Sequence, residues 1–153
     1  MKNGSEPGVR RALPGDERVW RTATSSILSD EQTAGIFASD AELAAALADP
    51  HCYLFLALAG ETPVGLSSAY ALPDVASGGR FVYLYDIEVL PSFQRRGVGA
   101  SLVAALLACC RADGVKLVWA GTNVENEPAR RTFERTGAET EGEPFVEYEW
   151  ELD

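Results

Sequence analysis

A strand, a glycine-bearing turn and an amphipathic helix follow one another between residues 80 and 113, and this run limits the fold more than any other part of the chain. Arg80 to Leu90 is rich in aromatic and β-branched residues and is closed by Pro91. Gln94-Arg95-Arg96-Gly97-Val98-Gly99-Ala100 leads into a helix expected over residues 97–113. That helix carries Leu102, Val103, Leu106, Leu107 and Cys110 on one face and ends at Gly114. Val115 to Ala120 reads as the next strand. A helix that bridges two strands favours parallel neighbours, so the sheet is expected to hold at least one parallel pair.

The flanking segments supply the remaining elements. Val9 to Leu13 reads as a first strand, stopped by Pro14-Gly15. Asp16 to Leu28 reads as a helix capped by Asp16, with Val19, Trp20, Ala23 and Ile27 at helical spacing. A second helix is expected from Asp40, as its cap, to Ala48, ended by Asp49-Pro50. His51 to Ala59 and Val64 to Leu72, joined by a turn at residues 60–63, read as a hairpin. Pro128 to Thr136 reads as a helix, and Phe145 to Leu152 as a final strand. The expected order is β-α-α-β-β-β-α-β-α-β: one α/β (α+β) domain with a central mixed sheet over residues 9–153, behind a flexible leader of residues 1–8.

Composition narrows the partners. Thirteen basic against 23 acidic side chains give a net charge of −10. No basic stripe is available for nucleic acid, whereas a negative field concentrates a cationic small molecule at a cleft. Near-apolar runs such as Tyr53 to Ala59 and Leu102 to Cys110 are too short to cross a bilayer, so no membrane partner is expected. Three cysteines, two of them adjacent (Cys109, Cys110), form neither a disulfide framework nor a zinc pattern. A reduced cytoplasmic setting and no metal are the expectations, and open strand edges leave room for a homodimer.

The turn at residues 94–100 has the chemistry of an anion cradle. Gly97 and Gly99 put no side chain between the backbone amides and a ligand, and the following helix adds its positive end. Arg95 and Arg96 bring two of the chain's few cations to the same place. It is not a Walker loop, since no Gly-Lys-Ser/Thr follows, and it lacks the third glycine of the dinucleotide fingerprint because position 102 is Leu102. Read from its residues alone, it is either a pyrophosphate cradle or a plain glycine-containing β–α turn.

Residues 94–100 resemble the Gln/Arg-x-x-Gly-x-Gly/Ala signature of the GNAT superfamily of N-acetyltransferases. Tyr85-Asp86-Ile87-Glu88-Val89, Leu90-Pro91, Asn126-Glu127-Pro128-Ala129 and Thr136-Gly137-Ala138 match that family's flanking segments, as does the order of elements from about Val9 onward. A narrower likeness joins Ala71-Leu72-Pro73, the strand Tyr83 to Val89 and the acidic end of the chain to the type I aminoglycoside 3-N-acetyltransferases. These resemblances imply acetyl-CoA as cofactor. Gln94, Arg95, Arg96, Gly97, Val98, Gly99, Ala100 and Ser101 would hold its pyrophosphate. Ile87 and Val89 would pair with its pantetheine arm, and Asn126 and Phe133 would meet it from the following segments. A Val89 N–H aimed at the thioester oxygen would stabilise an oxyanion by about 3 kcal/mol.

An amine attacks only when neutral, so a base must take its proton, directly or through water. By period-two alternation Asp86 and Glu88 share one side of their strand, able both to bind a polycation and to help remove its proton. Asp86 matches the aminoglycoside group's strand and is the first choice; Glu88 is the second. Tyr85 falls on the other side unless a bulge re-aims it. Glu147, Glu149 and Glu151 share a face of the last strand, either as a solvated edge or, with Asp74, as a wall for a substrate's ammonium groups. Many GNAT enzymes place a proton-donating tyrosine where this chain has Phe133, which leaves water to protonate the leaving thiolate. The expected reaction is acetyl transfer to an aminoglycoside, at its 3-amino group. The alternatives are transfer to a polyamine or protein N-terminus, and a non-catalytic acetyl-CoA sensor.

Overall fold

A computed structural model describes residues 6–33 and 38–152. Residues 1–5 of the expected leader, and Asp153, lie outside the described residues.

Five strands form one sheet in the order β1-β2-β3-β4-β5, comprising Gly8–Arg11, Cys52–Ala59, Thr62–Pro73, Arg80–Val89 and Leu117–Ala120. The first four are antiparallel to their neighbours, and β4 and β5 are parallel. The parallel pair is joined by α4, Val98–Ala112, as the strand–turn–helix pattern requires. Helices α1 (Glu17–Ile27), a single turn α2 (Asp30–Thr33) and α3 (Asp40–Ala48) precede the hairpin, and α5 (Glu127–Arg135) follows β5.

Alternation along the strands divides the core into two. Tyr53, Phe55, Ala57, Ala69, Val82 and Leu84 meet Leu102 and Leu106 of α4 on one face. Leu54, Leu56 and Leu66 meet Trp20 and Ala23 of α1 and Leu43 and Leu47 of α3 on the other. The Tyr53 hydroxyl donates to Asp113 at 2.7 Å and ties the end of α4 to β2. On the second face the helices pack over β2 and β3, with α1 against β3 and α3 against β2.

Several local expectations are corrected. The capping residue of α3 is Ser39, not Asp40: its hydroxyl accepts the Glu42 N–H at 3.2 Å, while the Glu42 carboxylate accepts the Ser39 N–H at 2.8 Å. Asp40 instead pairs with Arg21 at 2.7 Å. Asp16 is the N-cap residue of α1 as expected, but its carboxylate makes no cap bond; it accepts the Leu13 N–H and pairs with Arg10, joining β1 to α1. The single turn α2 was not expected. Phe145 to Leu152 forms no strand: its alternation suits one, but no neighbouring strand pairs with it among the described residues.

Candidate active site

The turn that begins α4 has the backbone of an anion cradle. Pro91–Phe93 forms a single 3-10 turn after β4. Arg95 then adopts φ +60°, rare for a residue with a side chain, and Gly97 takes φ +80° as the residue capping α4. Left-handed residues at positions 95 and 97 bend the chain sharply just before α4, which adds the positive end of a 15-residue helix. Among the described residues, no atom other than those of Gly97 and its two chain neighbours lies within 4 Å of where a Gly97 side chain would begin, so that approach is open. A Cβ at Gly99 would meet Thr132 of α5 at 3.5 Å, an ordinary contact distance, so the α4–α5 packing does not by itself call for glycine there. The Val98 side chain is buried in the core, leaving only its backbone for a ligand. Ala100 and Ser101 open onto a shallow groove of about 380 Å³ between α4 and α5, which also holds Arg111 and Arg135.

Beside this turn, β4 loses its second neighbour. The pairing of β4 with β5 runs only from Phe81–Leu117 to Leu84–Ala120, whereas its pairing with β3 continues to Val89. The Leu90 N–H donates to Val64 O at 2.9 Å. Peptide groups alternate in direction along an antiparallel ladder, so those of Ile87 and Val89 point away from β3, into the gap. Gln94 Nε2 takes up the Val89 carbonyl at 2.9 Å and clamps the turn to the strand. The Val89 N–H and the Ile87 peptide are left facing the gap.

A bulge decides what lies on the other side of that strand. Ser68 pairs with Asp86 but Ala69 pairs with Leu84, so Tyr85 is the extra residue. Strict alternation would put Asp86 on the α4 face with Val82 and Leu84. The extra residue shifts the phase: Asp86 and Glu88 now lie opposite Ser68 and Leu66, on the α1 face, while Ile87 and Val89 pack toward α4. Tyr85, 64% exposed, stacks edge-on against both Tyr70 and Tyr83 and so lies on the α1 side too.

On that side a cavity of about 230 Å³ opens between α1, α3 and the sheet, lined by Trp20, Leu43, Leu66, Ser68, Tyr70 and Asp86 among others. Asp86 is half-buried there. Burial pushes its carboxyl above the usual carboxylate range, against a weak opposing hydrogen bond from the Ser68 hydroxyl at 3.3 Å. No cation pairs with it among the described residues, so its charge is uncompensated and its proton affinity enhanced. Ser68, Tyr70 and Trp20 were not expected at the site. The one hint was Ser67-Ser68 within an otherwise apolar strand; Trp20 looked like any core residue of α1.

The other expected residues fall into two groups. Glu88 reaches the same face, but its Oε1 accepts from Gln32 Nε2 at 2.9 Å, a bond that makes it a weaker candidate base than Asp86. Asp74 is not at the site: its carboxylate accepts the amides of Ala76 and Ser77 and the Ser77 hydroxyl, which holds it below the usual range. It caps the β3–β4 loop, at the opposite end of those strands from Asp86 and about 17 Å away by strand rise. Glu149 is exposed and has no hydrogen-bond or ion-pair partner among the described residues; Glu147 is also exposed, and its charge reaches Tyr83. Asn126 Oδ1 accepts the Ala129 N–H at 3.3 Å and caps α5. Phe133 packs against the α4-side core. Among the described residues there is no cluster of His, Cys, Asp or Glu able to hold a metal, and no helix long and apolar enough to cross a membrane.

An open-edged strand beside a left-handed turn and a helix N-terminus is the architecture of an acyl-coenzyme A site. The chain belongs to the acetyltransferase (GNAT) family, whose sequence model matches residues 18–138. Three relatives bear the name aminoglycoside N(6′)-acetyltransferase type 1. That of Stenotrophomonas maltophilia is 31% identical over 142 residues, 88% of each chain. That of Salmonella typhimurium is 31% identical over 92 residues, 58% of this chain and 63% of the relative, so the match spans under two thirds of that relative's length. Among solved structures, an aminoglycoside acetyltransferase from an uncultured soil metagenomic sample, in complex with trehalose, superimposes with a TM-score of 0.84 at 21% identity over 96% of this chain and 97% of its own. Aminoglycoside N-acetyltransferase AAC(6′)-Iy, in complex with a bisubstrate analogue of CoA and neamine, gives 0.73 at 25% identity over 97% and 100%.

Proposed function

We propose that this protein transfers an acetyl group from acetyl-CoA to an amine of an aminoglycoside. The carrying observation is the position of Asp86: half-buried, without a cationic partner, in a cavity on one face of the strand whose opposite edge is open at Ile87 and Val89. The names of the relatives support the acceptor class.

The residues fit the coenzyme. The amides around Arg95, Arg96 and Gly97 and the start of α4 would hold its pyrophosphate, and the peptides of Ile87 and Val89 would hold its extended arm. When bound, acetyl-CoA supplies an acetyl group activated as a thioester. The Val89 N–H is the donor available to polarise the carbonyl of that group. Asp86 takes a proton from the acceptor's ammonium, directly or through one water, and frees the lone pair that attacks. Its raised proton affinity brings it nearer to that of an amine than an ordinary aspartate. Phe133 has no proton to donate, and a thiol of ordinary pKa is a tolerable leaving group, so water could protonate the thiolate.

Two sites of acetylation remain in play. The strand Tyr83 to Val89 resembles that of the 3-N enzymes, and the relatives carry the 6′ name. Thiol release from acetyl-CoA, followed over a panel of aminoglycosides, polyamines and peptides, tests the proposal, and NMR of the product gives the position. Release with aminoglycosides is the expected result. Release only with polyamines or peptides would replace the acceptor class, and none with any amine would favour a sensor.

A further inference from the structure

From Tyr70 in the cavity at Asp86, the same face of the sheet carries a continuous row of aromatic rings out across β4 and β5. Tyr70, Tyr83 and Trp119 are register partners across β3, β4 and β5 and therefore point to one side. Phe81 lies two residues before Tyr83 on that side, and the bulge adds Tyr85. From Tyr70 through Tyr85, Tyr83 and Trp119 to Phe81, successive ring centroids lie 6.0, 6.2, 5.0 and 5.0 Å apart. Tyr70, Tyr85 and Trp119 are 39%, 64% and 37% exposed. A contiguous exposed aromatic surface on a protein is a binding surface as a rule.

Charge identifies the occupant. Asp86 and Glu88 stand at the Tyr85 end of the row. Glu147 lies close enough to Tyr83 that its charge, after burial, helps raise that phenol. Aromatic faces carry negative potential and attract ammonium groups and the C–H faces of saturated rings. Carboxylates beside Tyr85 and Tyr83 oppose an anionic lipid surface or nucleic acid.

We infer that the row Tyr70–Tyr85–Tyr83–Trp119–Phe81 is a platform for the further ammonium-bearing sugar rings of the acceptor, beyond the ring whose amine reaches Asp86. This rests on the aminoglycoside reading above. It makes acceptor length a determinant of affinity: a pseudo-disaccharide ends near Tyr85, and a three- or four-ring acceptor extends along the row.

The test compares two-ring and four-ring aminoglycosides that share the reacting ring. Tyr85→Leu and Trp119→Leu are expected to raise KM for the four-ring acceptor about tenfold and for the two-ring one less than threefold, with the loss in KM rather than kcat. Tyr85→Phe, which keeps the ring, is expected to restore affinity. Melting curves verify that each variant folds, and Tyr85→Leu, at the most exposed ring of the row, carries the test alone if the Trp119 variant does not fold. KM changes that are absent or equal for both acceptors would overturn the inference. So would gel filtration in which the leucine variants turn a dimer into a monomer, since the row would then belong to a second copy of the chain. Tryptophan fluorescence without acetyl-CoA, read as the native chain minus Trp119→Phe, separates this inference from the reading beneath it. Quenching that grows with ring number, without acetyl transfer, keeps the platform and removes the enzyme. Acetyl transfer with no length dependence does the reverse.

Discussion

The two halves of β4 have the same backbone and opposite fates. From Phe81 to Leu84 the strand has a neighbour on each side, and its inward residues Val82 and Leu84 are buried against α4. From Asp86 to Val89 it has β3 alone, and its free edge meets the left-handed turn of residues 95–97. Tyr85 separates them. Full pairing satisfies a strand's peptide groups and makes it scaffold; pairing on one side leaves donors and acceptors for a ligand. The bulge between the halves turns Asp86 from the α4 core to the open face, which a regular strand could not do while keeping Val82 and Leu84 in contact with that core.

The strongest way to break this contrast is to remove the one carboxylate that the bulge re-aims without a partner. Asp86→Asn is expected to lower turnover about a hundredfold, as loss of a general base does. Acetyl-CoA affinity, measured by calorimetry, should hold within a few-fold. Unchanged turnover would take Asp86 out of the chemistry.

The two glycines of the turn sharpen the contrast from the cofactor's side. Gly97→Ala forces a side chain into a left-handed conformation, at about 1–2 kcal/mol, where amides face the ligand. Its acetyl-CoA affinity is expected to fall about tenfold or more. Gly99→Ala adds a methyl group at ordinary contact distance from Thr132, in a helix that alanine favours by up to about 1 kcal/mol. Its affinity for acetyl-CoA should fall much less and its melting temperature should rise. Equal losses in the two variants would mean that both glycines face the ligand.

The smallest effect is in stability. Burial raises the Asp86 carboxyl in the folded chain, so its ionised form is less favourable there than in the unfolded chain. By linkage, the stability it contributes is fully present below the unfolded value, near pH 4, and is lost as pH rises through the higher folded value. Asp86→Asn should therefore raise the melting temperature at pH 7, with the gain vanishing toward pH 4. In the native enzyme, the acid limb of kcat/KM should lie above the ordinary aspartate range. A melting temperature unchanged at pH 7, or an acid limb near pH 4, would show Asp86 to be fully hydrated.

Much of this contrast was legible in the chain itself. Gln94 to Ala100, the helix after it and the strands around it placed the turn correctly, because glycine conformations, caps and helix periodicity are local. The phase change was written there too: Val82 and Leu84 are apolar at even positions, Ile87 and Val89 at odd ones, and only an extra residue between them lets all four face one core. Asp74 and the terminal glutamates were less readable. A carboxylate beside a site in sequence says nothing of the backbone amides it caps, and Phe145 to Leu152 has a strand's alternation without a strand's neighbour.

The sequence by itself determined the order of elements from β1 to α5 apart from the single turn α2, the parallel crossover and the glycine turn before α4, since each follows from residues a few positions apart. Only the tertiary structure decided that Asp86 is the open carboxylate, that Glu88 is held by Gln32, that Gly99 faces Thr132 of α5 and that five rings form one row. Those outcomes depend on strand register and on which face each helix covers. Both are set by contacts between residues tens of positions apart, which local periodicity does not encode.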